Sequence, residues 1–76
     1  MTLYEFNSLT KHLMYDVTFQ KGVFLDVKIE NDKRFALYAL GMFFVEIEYD
    51  IEQNKIQNIC SFKTGALLDK YSNLKL

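Results

Sequence analysis

Residues 34–50, RFALYALGMFFVEIEYD, alternate with a period of two on both sides of a Gly-Met pair. That period places successive side chains on opposite faces of a strand, so the segment reads as an antiparallel hairpin closed by a two-residue turn with glycine first. Phe35, Leu37 and Ala39 form one row of its first strand, and Ala36, Tyr38 and Leu40 the other. Phe43, Val45, Ile47 and Tyr49 form one row of its second strand, against Phe44, Glu46, Glu48 and Asp50. The same period starts at Gly22, where Val23, Leu25, Val27 and Ile29 alternate with Phe24, Asp26, Lys28 and Glu30. Asn31 and Asp32 tolerate positive φ and suit the tight turn between these strands. A fourth strand, IQNICSF, follows a looser connection through IEQNK. Its apolar residues Ile56, Ile59, Cys60 and Phe62 fit no single alternation, which predicts a bulge or a shared face.

Before the sheet the period is helical. Thr2 followed by Glu5 fits a capping box, and Leu3, Phe6, Leu9, Leu13 and Val17 recur at steps of three or four. Ser8 or Thr10 offers a restart, so the expectation is a bent helix or two short ones ending near Lys21, with Gly22 as a left-handed terminating residue. DVTFQKGVFLDV also has β-branched and aromatic residues on both sides of Lys21-Gly22, and a hairpin there is the competing reading. In the tail, Leu67, Leu68 and Tyr71 are spaced for one short amphipathic helix after Thr64 or Gly65. The sum is a single α+β domain over residues 1–76, a four-stranded antiparallel meander in a two-layer arrangement with amphipathic helices covering one face.

A chain of 76 residues, half of them hydrophobic, has room for one core. One cysteine rules out an internal disulfide, and one histidine with one cysteine falls short of a closed zinc site. Aromatic packing is the remaining internal reinforcement, supplied by seven Phe and five Tyr. Nine basic against ten acidic residues give a net charge of −1, which disfavours nucleic acid or an anionic membrane as partner. The N-terminal stretch lacks the apolar run of a signal peptide and no segment approaches a membrane span, so the expected location is cytoplasmic.

In order and wording, the segments GVFLD, FALYALGMFFVEIEYD and SFKTGALLDKYSN resemble those of short proteins of Bacteroidetes bacteria that have no assigned activity. The likeness covers most of the chain, with residues 62–71 its most distinctive part. It implies a bacterial, cytoplasmic setting and brings no functional residues to carry over.

Chemistry is sparse. Cys60, the only thiol, sits in an apolar strand, a setting that quiets reactivity, and reads as a small buried hydrophobe. His12 and Asp16 share a helix face and read as a solvated i,i+4 pair. Glu46, Glu48 and Asp50 project from one side of a strand, with Asp26 and Glu30 on a neighbouring row; a wetted sheet face explains them, and a metal-dependent or hydrolytic use of Glu46 and Glu48 is the remote alternative. The three glycines are isolated, so no phosphate cradle forms. No cofactor is expected. If the core uses Val23, Leu25, Phe35, Leu37, Phe43, Val45 and Ile47, the rings of Phe24, Tyr38 and Phe44 fall on the opposite face beside Ala36 and Leu40. Those rings are then covered by a terminal helix, by a second copy, or by a protein partner. Aromatic anchors with Glu46 and Glu48 as an acidic rim suit a basic partner. The expected function is therefore a noncatalytic protein–protein interaction module, inhibitor- or immunity-like, with a homodimer through the sheet as alternative.

Overall fold

The computed structural model describes residues 1–63 and has the element order α1 (Leu3–Asn7), α2 (Lys11–Lys21), β1 (Val23–Glu30), β2 (Lys33–Leu40), β3 (Phe43–Asp50), β4 (Lys55–Phe62). The four strands form an open antiparallel sheet in the order β1-β2-β3-β4, so the fold is α+β. The helix expected in the tail lies outside the described residues. Among the described residues no helix is long and apolar enough to cross a membrane.

The N-terminal segment is two short helices, each started by the threonine its sequence offers. Thr2 Oγ1 accepts from the Glu5 backbone N–H at 3.1 Å while Glu5 Oε1 accepts from the Thr2 N–H at 2.7 Å, a reciprocal capping box. These bonds to Thr2, the backbone one first, hold the Glu5 carboxyl below its ordinary value. Thr10 caps α2 through the N–H of Leu13 at 3.3 Å. The hairpin alternative across Lys21-Gly22 is not formed.

Gly22 departs from the expected left-handed residue. Its φ of −73° and ψ of 149° are extended, a conformation open to any amino acid. Glycine is required there by space: its N–H donates to the Thr18 carbonyl at 2.9 Å, and a Cβ would stand 2.5 Å from that same oxygen. Positive φ occurs instead at the loops, at Asn31 (56°), Gly41 (65°) and Asn54 (57°).

Both helices pack on one face of the sheet. Phe6 of α1 joins Leu40, Phe43, Val45 and Ile47 in the buried cluster, with Leu3, Leu9, Met14, Tyr15 and Val17 against it. The Phe6 and Phe43 rings meet at 5.5 Å. Thr18 is the buried polar residue of α2, and its hydroxyl donates to the Met14 carbonyl at 2.8 Å, so the burial leaves no orphan group.

Strand register corrects the expected rows. The Gly41-Met42 turn places Leu40 opposite Phe43, hence Tyr38 opposite Val45 and Leu37 opposite Glu46. Ala36, Tyr38 and Leu40 therefore share the helix-covered face with Phe43, Val45 and Ile47, while Phe35, Leu37 and Phe44 lie on the other. Leu40 belongs to the core, contrary to expectation, and Leu37 is fully buried on the second face. A two-residue loop forces this outcome, because residues equidistant from the turn must point the same way.

Two bulges complete the register. One extra residue, Gln57, is accommodated between the Glu48–Asn58 and Tyr49–Ile56 pairs, as the irregular apolar spacing of β4 predicts. The other was not legible in the alternation of β1: Leu25 is the extra residue between the Phe24–Tyr38 and Asp26–Leu37 pairs. It carries Phe24 onto the same face as Val27 and Ile29.

Candidate functional site: an apolar groove beside the helices

The bulge at Leu25 builds the site. Phe24, Val27 and Ile29 stand in one row on the helix side of β1, yet the helices stop short of them. α1 packs against β4, and α2 against β2 and β4. The three side chains are exposed, at 54%, 42% and 61%, whereas Asp26 and Lys28 on the opposite row are half-buried. The usual order of a half-wetted strand, apolar in and charged out, is reversed along β1.

The exposed row forms one wall of a groove of about 550 Å³. Its floor is Ala36 and Tyr38 of β2 with Ile47 of β3; Phe19 of α2 closes the near end and Tyr49 and Ile56 line the far end. Tyr38 anchors the aromatic corner, with Phe24 at 5.7 Å and Phe19 at 6.0 Å, both edge-on at 73° and 76°. Such T-shaped contacts suit the ring quadrupoles and fix the walls without filling the space between them.

Arg34 is the charged residue of the lining. It sits across from Ile29 on one side and Tyr49 on the other, with its guanidinium carbon 5.8 Å from the Tyr49 ring centroid. Tyr49 in turn bonds Asn54 through its hydroxyl. The ion pairs among the described residues are His12–Asp16, Lys28–Glu30 and Lys33–Glu48, and none involves Arg34.

The residues singled out from sequence separate into two sets. Phe24 and Tyr38 touch, but on the helix-covered face that carries the core and not on the opposite face where the sequence reading placed them. Phe44 does not join them: it pairs with Ala39 on the other face and stacks on Phe62 at 5.8 Å. Glu46 and Glu48 share that second face, so the acidic rim does not border the Phe24–Tyr38 corner. Glu46 is buried, and Glu48 holds Lys33 at 2.8 Å, a bond that with its charge keeps the ammonium above its ordinary value. Phe19, Val27, Ile29 and Arg34 were missed. For Val27 and Ile29 the missing signal was the extent of the helix layer, which leaves this row of β1 uncovered, and for Phe19 it was the contact between layers that brings α2 to Tyr38; for Arg34 it was the row parity, which the two-residue turn already dictates.

The remaining candidates for chemistry stay dispersed. His12 reaches Asp16 at 3.4 Å on an exposed face of α2, and half-buried Cys60 lies on β4. Among the described residues no three His, Cys, Asp or Glu side chains gather as a metal site would need. On each edge strand a side chain occupies an outward backbone donor. Asp26 Oδ1 accepts from the Val27 N–H at 2.8 Å on β1, and Asn58 Oδ1 from the Ile59 N–H at 2.9 Å on β4. This is the local capping by which edge strands resist pairing with other chains.

No protein-family model matches this chain, and no curated protein or solved structure is detectably similar to it.

Proposed function

We propose that this protein is a noncatalytic interaction module that holds a protein partner in the groove between α2 and β1. The observation that carries the reading is the inverted burial of β1: Phe24, Val27 and Ile29 face solvent on the side where the sheet otherwise builds its core. Contiguous apolar surface of this kind lowers its free energy by being covered, and the aromatic corner at Tyr38 is the sort of rigid pocket in which binding energy concentrates. The partner's charge preference reverses from the sequence expectation, since the groove carries Arg34 while Glu46 and Glu48 lie on the opposite face. A bacterial, cytoplasmic setting belongs to this proposal and rests on the sequence resemblance.

The test is capture from the native cell by the wild-type chain and by Ile29→Asp, with thermal unfolding of both. Loss of a captured protein at unchanged stability supports the reading. Equal capture by both refutes it. A homodimer through the sheet is the second reading; the caps on the Val27 and Ile59 donors oppose edge pairing, so it would join the exposed apolar row of β1, and solution mass as a function of concentration separates it from the first. The carboxylate-enzyme alternative has little geometric support, because Glu48 is engaged by Lys33 and Glu46 is buried.

A further inference from the structure

The groove has the dimensions of a missing helix. α2 packs against both β2 and β4, so it straddles β3. Strands repeat at roughly 4.8 Å, which puts β1 about 9.6 Å from β3. Packed helices sit about 8–10 Å apart, so a helix laid beside α2 in the same layer would rest over β1. Lengths agree as well. From Phe24 to Ile29 the strand covers roughly 16 Å at about 3.3 Å per residue, which a helix of about eleven residues matches at 1.5 Å each.

A strand is a poorer occupant. Strand addition to β1 needs its outward donors, and the Val27 N–H is already bonded to Asp26. The occupant also has a preferred charge: Arg34 stands at the Ile29–Tyr49 end without an ion-pair partner among the described residues. Apolar contacts along the row with one carboxylate at that end would satisfy the whole lining.

We infer, building on the interaction reading, that the partner element is an amphipathic helix of about three turns from another protein, bearing an acidic side chain that pairs with Arg34.

The experiment pans a displayed library of three-turn amphipathic helices against the full-length protein and its Arg34→Glu and Ile29→Asp variants, with unfolding curves as controls for folding. Wild type is expected to enrich helices with Asp or Glu at one terminal position, Arg34→Glu to enrich Lys or Arg there, and Ile29→Asp to enrich none. Arg34→Gln is expected to weaken an enriched acidic peptide about fivefold, the scale of a partly exposed ion pair. Enrichment that depends on Ile29 but shows no charge preference refutes the acidic helix and leaves the interaction module standing. Enrichment only after Leu67→Asp and Leu68→Asp shows that the protein's own tail fills the groove. A concentration-dependent dimer abolished by Ile29→Asp assigns it to a second copy. Either result overturns the inference.

Discussion

Truncating Phe24 to alanine distinguishes an open groove from a covered one, and Phe43→Ala supplies the scale. Phe24 is 54% exposed, so a little under half of its surface is buried. Full burial of such a side chain contributes about 1.5–3 kcal/mol, which leaves roughly 1 kcal/mol for Phe24. Its edge-on contact with Tyr38 at 5.7 Å adds about 0.5–1.5 kcal/mol. The expected loss is about 2 kcal/mol. Phe43 is 2% exposed and packs on Phe6, and truncation of an enclosed aromatic costs about 3–5 kcal/mol. Total stability for a chain of this length is on the order of 4–11 kcal/mol, so Phe43→Ala approaches loss of the fold while Phe24→Ala remains folded. Urea unfolding followed by circular dichroism measures both, and about 1 kcal/mol corresponds to a melting shift of roughly 4–8 °C at this size. A Phe24→Ala loss equal to that of Phe43→Ala would mean that the ring is enclosed in solution, and the groove argument would fail.

Gly22→Ala is expected to destabilise by about 1–3 kcal/mol, because the new Cβ meets the Thr18 carbonyl at 2.5 Å and the α2–β1 junction must shift; equal or greater stability would show that the junction yields freely. Asp26→Ala uncovers the Val27 donor on an apolar edge and is expected to self-associate as concentration rises, which sedimentation detects; a mass independent of concentration would mean that the cap is dispensable. Folding lowers the Glu5 carboxyl from its ordinary 4.5, so its contribution is present above that value and is lost as pH falls through the folded value. Glu5→Gln should then flatten the acid limb of the stability profile, and an unaltered limb would remove Glu5 as a contributor. Folding raises the Lys33 ammonium, so its share is present below the ordinary lysine value of 10.5 and fades as pH climbs through the raised one; Lys33→Met should remove that alkaline decline.

Much of this architecture was legible in the chain because its determinants are local. The Thr2–Glu5 box, the Thr10 restart and the three connections between strands each involve residues within a few positions of one another, and all took the expected place. Gly22 was read correctly as a junction and wrongly as a left-handed one, because a residue's φ and the room around its Cα are separate reasons for glycine, and only coordinates distinguish them. The misplaced row of Phe24, Tyr38 and Phe44 has two origins. Phe44 follows from the Gly41-Met42 loop, whose two residues already require Tyr38 to oppose Val45. Phe24 does not, since its face depends on the extra residue at Leu25.

The amino-acid order alone thus determined the elements, their succession and the turns that join them, for these arise from backbone preferences and side-chain period along the chain. Tertiary packing decided where the helix layer ends. Whether Phe24, Val27 and Ile29 are core or open surface depends on the width of α1 and α2 against a four-stranded sheet, a quantity summed over distant residues that no local pattern encodes.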